Sequence, residues 1–129
     1  MKEHWKREPE DHDYPAAADY LSLVLADEVV KELVAGLQNA ELVHRKAKDL
    51  LRASTLELLP ATNVHVSKDL QKARDGHLLS PVLIVRGDLR RGAPLTIADG
   101  YHRVCASYHL DEDADIPCRI VEFPDSTAR

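Results

Sequence analysis

The spacing of apolar residues changes character near Asn63, dividing the chain into a helical first half and a second half with strands. From Pro15, which suits the opening of a helix, Tyr20, Leu21, Val24 and Leu25 share one face. Asp27 is placed to cap a second helix, whose stripe runs through Val30, Leu33, Val34 and Leu37 with Gly36 as a mild penalty. A third helical segment is expected over about 40–53, with Leu42, Val43, Leu50 and Leu51 inward and Arg45, Lys46, Lys48 and Arg52 on other faces. Pro60 closes this half.

Beyond Asn63 the pattern shortens. Ser67 is the expected cap of a short helix through Leu70 and Ala73 that stops at Asp75-Gly76. Val82-Leu83-Ile84-Val85 is an unbroken apolar run, as in a strand covered on both faces. A charged connection over 87–94 then leads to a strand over 95–98, a helix over 101–110 and a strand over 116–121. This order predicts an α+β fold in which a helical segment packs on a small mixed sheet. It reads as one domain over 15–129, helical over 15–60 and sheet-containing over 61–122. Residues 1–14 are polar and aperiodic, so they read as a mobile lead or a strap, with Trp5 expected to dock in a groove.

Composition narrows the function classes. With 129 residues the chain is long enough to bury one core without disulfide or metal staples. Its net charge of −5 argues against a free-standing DNA binder, because nonspecific affinity for DNA comes mainly from phosphate neutralisation by Lys and Arg. Cys105 and Cys118 each lie inside an apolar pattern, which favours a reducing compartment, and the cytoplasm is the expectation. No apolar run suits a secretory signal or a membrane span.

The chemistry concentrates at Leu95–Tyr108, which reads as a strand turning at Asp99-Gly100 into a helix. The first turn of a helix has unpaired N–H groups and the positive end of its dipole, so it receives anions. Gly100 allows a sharp turn and close approach of a phosphate. His102 and Arg103 add donors there, and a cation at a helix N-terminus, unfavourable alone, implies a compensating anion. Asp99 either caps the turn or acts as a carboxylate that holds Mg²⁺ or accepts a proton. Tyr101, Val104, Cys105 and Tyr108 share the apolar face. In the run His44, Arg45, Lys46, Lys48, Arg52, the cations are either a solvated face or reach the same anion, with Lys48 and Arg52 one turn apart.

Two metal readings are set aside. His102, Cys105 and His109 span roughly 10 Å of helix, too far for one tetrahedral zinc. Asp111, Asp113 and Asp115 imitate the start of a calcium loop, yet Ile116 stands where that loop requires Gly.

The succession of apolar strand, strand, Asp99-Gly100-Tyr101-His102-Arg103, helix and a strand opening Ile116-Pro117 resembles the ParB/sulfiredoxin superfamily over roughly 60–122. The resemblance implies nucleotide binding at the turn, with phosphate contacts from Gly100, His102 and Arg103; Tyr101 of the same turn, and Lys48 and Arg52 from the local basic run, are further candidates for that ligand. Tyr101 stands where sulfiredoxins carry their catalytic cysteine, so sulfinic-acid reduction is not expected. Chromosome-partition ParB proteins have Gly-Glu-Arg-Arg where this chain has Gly100-Tyr101-His102-Arg103. The turn is also similar to that of the free-serine kinases of this fold, which implies phosphoryl transfer with Asp99 as base or Mg²⁺ carboxylate. The expectation is therefore an ATP- or CTP-type nucleotide site that transfers or hydrolyses a phosphoryl group. The alternative is a non-catalytic nucleotide-sensing or nucleic-acid-associated module.

Overall fold

The structure, a computed structural model, describes residues 5–124. Its elements are α1 (Asp13–Leu21), α2 (Asp27–Asn39), β1 (Leu42–Lys46), α3 (Ala47–Ser54), α4 (Val64–Arg74), β2 (Val82–Val85), β3 (Thr96–Asp99), α5 (Tyr101–Leu110) and β4 (Asp115–Val121). A turn of 3-10 helix, Leu89–Arg91, lies between β2 and β3. The strands form one mixed sheet in the order β1-β4-β2-β3, with β2 and β4 parallel and the other pairings antiparallel.

Every residue of β2 is buried, and successive side chains enter different cores. Val82 and Ile84 join Leu50, Val66, Val104 and Ile116, drawn from α3, α4, α5 and β4. Leu83 and Val85 instead join Leu21, Leu33 and Leu37 from α1 and α2. Helices thus cover both faces of the sheet, which is why its central strand is apolar throughout. The expected α+β arrangement, with N-terminal helices packed on a small mixed sheet, is present. No described helix is long and apolar enough to cross a membrane. Cys105 and Cys118 are buried free thiols, and burial pushes that of Cys118 up to about 11.

Several boundaries differ from the sequence expectations. Leu42–Lys46 is a strand, with Val43 opposite Cys118 and Arg45 opposite Ile116, so the continuous third helix is replaced by β1 and the shorter α3. The pairs Leu42-Val43 and Leu50-Leu51 serve either arrangement, and pairing with β4 decides between them. Asn63, not Ser67, caps α4: its side chain accepts from the N–H groups of His65 at 2.9 Å and Val66 at 3.2 Å. Asp27 lies inside the first turn of α2 after Ala26, and Pro15 is the third residue of α1 rather than its first. Gly36 is explained by close packing, since a Cβ there would come within 2.4 Å of Val121 Cγ2.

The described part of the polar lead forms a strap. Lys6 N–H donates to Leu79 O at 2.8 Å, Trp5 bridges to Leu79, and Trp5 is partly buried against the first core, as expected for a docked indole. Residues 1–4 of that lead lie outside the described residues.

Candidate functional site

Two helices converge on the turn that follows β3. Gly100, at a φ of 110°, is the N-cap of α5 and offers no capping side chain. The bond from Val104 N–H to Gly100 O, 3.0 Å, closes the first turn, so the amides of Tyr101, His102 and Arg103 open the helix. Opposite, α4 presents His65, Lys68, Asp69 and Lys72 on one face by their three- and four-residue spacing. Between them lies a cleft of about 210 Å³ lined by those four side chains and by Asp99, Gly100, His102 and Arg103. A second cleft of about 550 Å³ shares Lys68, Asp69, Lys72 and Arg103 and continues past Lys6, Glu10 and His12 of the strap.

Arg103 does not reach outward as its sequence position implied. Its Nη2 donates to Asp99 Oδ2 at 2.9 Å and to Pro81 O at 3.4 Å, and its Nη1 lies 4.0 Å from Asp13 Oδ1. The side chain is 16% exposed and that of Asp13 only 2%. The anion that compensates this cation at the helix start is thus supplied by the protein's own carboxylates. Gly100 has a related explanation: a Cβ there would meet Arg103 Nη2 at 2.8 Å and Val82 Cγ2 at 2.9 Å. The glycine makes room for the folded-back arginine and a core valine, a packing role that its place in the turn did not reveal.

Other expected contributors are placed elsewhere. The Tyr101 hydroxyl donates to Glu57 O at 2.6 Å, and its ring packs on the first core, so the phenol ties down the loop after α3. Lys48 pairs with Asp113 and Arg52 with Asp49 at 3.6 Å, and neither lines the cleft at the turn. Lys46 lies 3.8 Å from Asp115. Two carboxylates of the acidic loop thus serve as counter-ions of the basic run, whereas Lys68 and Lys72 are exposed and in no ion pair among the described residues.

Burial sets the titration of the cleft. It raises Asp69 above the ordinary carboxylate value, against the pull of Arg103, Lys72 and the two histidines. It raises Asp99 as well; Arg103 opposes the shift, and the adjacent Asp13 carboxyl adds to it. His102 is lowered by burial and then by His65, whose ring centroid is 4.7 Å away, so His102 is a neutral donor at pH 7. Asp99 already meets Arg103 through Oδ2, so Mg²⁺ there would compete with a guanidinium. The two ammonium groups and the open amides do fit an anion such as a phosphate chain.

The α4 wall escaped the sequence reading although its signal was present. His65, Lys68, Asp69 and Lys72 recur at helical spacing, but a helix begun at Ser67 leaves His65 outside it. Asp13 was also missed, because its partner Arg103 is far away in sequence. The chain matches no protein-family model, no curated protein and no solved structure.

One prediction arises directly from Asp69. A raised carboxyl favours the fold while protonated, and that contribution is lost as pH rises through the raised value. Asp69→Asn should therefore raise Tm at pH 7 by on the order of 1–2 °C, with the difference closing below about pH 4. Thermal melts across that range check it; a variant less stable than the parent at neutral pH would contradict it.

Proposed function

We propose that the protein binds an ATP- or CTP-type nucleotide, with its phosphates in the cleft between α4 and the β3–α5 turn. The observation that carries this reading is the placement of two exposed ammonium groups, Lys68 and Lys72, in no ion pair among the described residues, across from the open amides of α5. Ammonium groups and helix-start amides are the usual receptors for phosphate oxygens. The adjoining 550 Å³ cleft falls in the range of small-molecule pockets and would take sugar and base. The resemblance of Asp99-Gly100-Tyr101-His102-Arg103 and its flanking strands to the ParB/sulfiredoxin superfamily supports the same ligand class.

In a catalytic form of this reading, phosphoryl transfer or hydrolysis, Asp99 is the carboxyl for the proton. Its raised pKa and its place at the cleft suit that role, and Arg103 holds it in position. Nucleic-acid association has less behind it, since Lys46, Lys48 and Arg52 already face acids.

A thermal-shift panel of ATP, CTP, GTP and UTP, with and without Mg²⁺, tests the proposal. A nucleotide at a hundredfold excess over Kd should raise Tm by about 10 °C. Phosphate release measured on the same samples separates turnover from sensing. No shift with any nucleotide at millimolar concentration would refute it.

A further inference from the structure

The segment Glu10-Asp11-His12-Asp13 brings donors of two chemical kinds to one point at the start of α1. His12 Nε2 lies 3.1 Å from Glu10 Oε2 and 3.5 Å from Asp13 Oδ1, and the three side chains offer ligand atoms within 4.8 Å of one another. A cation bonded to nitrogen and oxygen at about 2.0–2.2 Å requires neighbouring ligand atoms roughly 3.0–3.5 Å apart. The His12 separations already have that size.

The remaining carboxylate oxygens explain why these atoms converge. Lys6 Nζ holds Glu10 Oε1, and Glu10 N–H donates to Asp13 Oδ2 at 2.9 Å. Glu10 is thus fixed by one oxygen and turns the other toward the imidazole, whereas Asp13 Oδ1 lies between the imidazole at 3.5 Å and Arg103 Nη1 at 4.0 Å; such outer contacts orient ligands in metal centres. The base of the site is firm: Asp13 is 2% exposed, and Asp13 N–H bonds to Glu10 O at 2.9 Å. His12 is 75% exposed, and Glu10 and His12 line the larger cleft, so one side of the group stays open to water or to a ligand oxygen.

We propose that Glu10, His12 and Asp13 form a site for a first-row divalent cation of the Zn²⁺ or Mn²⁺ class, at the edge of the larger cleft. One imidazole with two carboxylates suits such ions, and three protein ligands leave positions for exogenous oxygen. The inference goes beyond nucleotide binding and does not depend on it, because the metal alone is the ligand.

The test is calorimetric titration of the intact chain with Zn²⁺, Mn²⁺ or Co²⁺ alone, with visible absorption reporting Co²⁺ coordination. The expected result is one ion per chain, bound at least tenfold more weakly by His12→Ala and by Glu10→Gln. Asp113→Asn, which alters the acidic loop facing Lys48, should bind like the parent. Because His12 is exposed, its replacement should leave the thermal melt of the metal-free protein unchanged. Absence of binding at millimolar metal would overturn the proposal. Equal affinity in His12→Ala would overturn it too, leaving the imidazole as a partner of two carboxylates only.

Discussion

Replacing Arg103 with alanine is expected to lower stability by about 3–5 kcal/mol, the cost of leaving buried charge without its partner. Asp99 and Asp13 would face each other across the space that the guanidinium fills, and Pro81 O would lose its donor. For a chain of this size the loss corresponds to a fall in Tm of roughly 10–20 °C. Acid should soften the effect. Without the cation Asp99 is pushed further up, so its protonated form is favoured in the fold and the deficit shrinks as pH falls through its titration. A second exchange, Asp99→Asn, should restore part of the stability in the Arg103→Ala background, a coupling that a double-mutant cycle measures directly. A single-variant loss below about 1 kcal/mol would show that the carboxylates do not depend on this arginine. Because of the structural cost, Arg103→Ala is a poor probe of ligand binding.

Exchange of both Lys68 and Lys72 for alanine is expected to weaken nucleotide binding by roughly a hundredfold or more. Each ammonium–phosphate hydrogen bond contributes about 1.5–3 kcal/mol, and about 1.4 kcal/mol is a tenfold change in affinity. Both side chains are exposed and in no ion pair among the described residues, so folding stability should change by no more than about 0.5 kcal/mol. Calorimetry at fixed salt reads the first effect and thermal melts the second. The parent's affinity should fall as salt is raised, and the double variant should lose most of that dependence. Unchanged affinity would move the phosphates elsewhere on the molecule.

The contrast between these two variants shows what could be read along the chain. The Val82–Val85 run announced a doubly covered strand, and it is one; Asp75-Gly76 ended α4, and the helix over Tyr101–Leu110 stands where periodicity put it. Those features rest on local spacing and turn chemistry, which a sequence displays directly. β1 does not. Its strand conformation is decided by β4, more than 60 residues later, and Leu42-Val43 gives no local sign of that pairing. The pose of Arg103 is equally nonlocal, because Asp13 arrives from α1 across the sheet and Pro81 from the start of β2. Its helix-start position correctly signalled a need for negative charge, but not that the protein itself supplies it. The far wall of the cleft was nearer to view: Lys68 and Lys72 are in register even in a helix begun at Ser67, and the choice of cap left only His65 outside that face.

The measurement closest to the central claim is amide chemical-shift mapping of the isotope-labelled chain during titration with ATP. Phosphates seated between α4 and the β3–α5 turn should give the largest changes at Tyr101, His102 and Arg103 and along Lys68–Lys72, saturating together with one dissociation constant. Changes gathered instead around Gly87–Leu95, or no saturable change at all, would contradict the account.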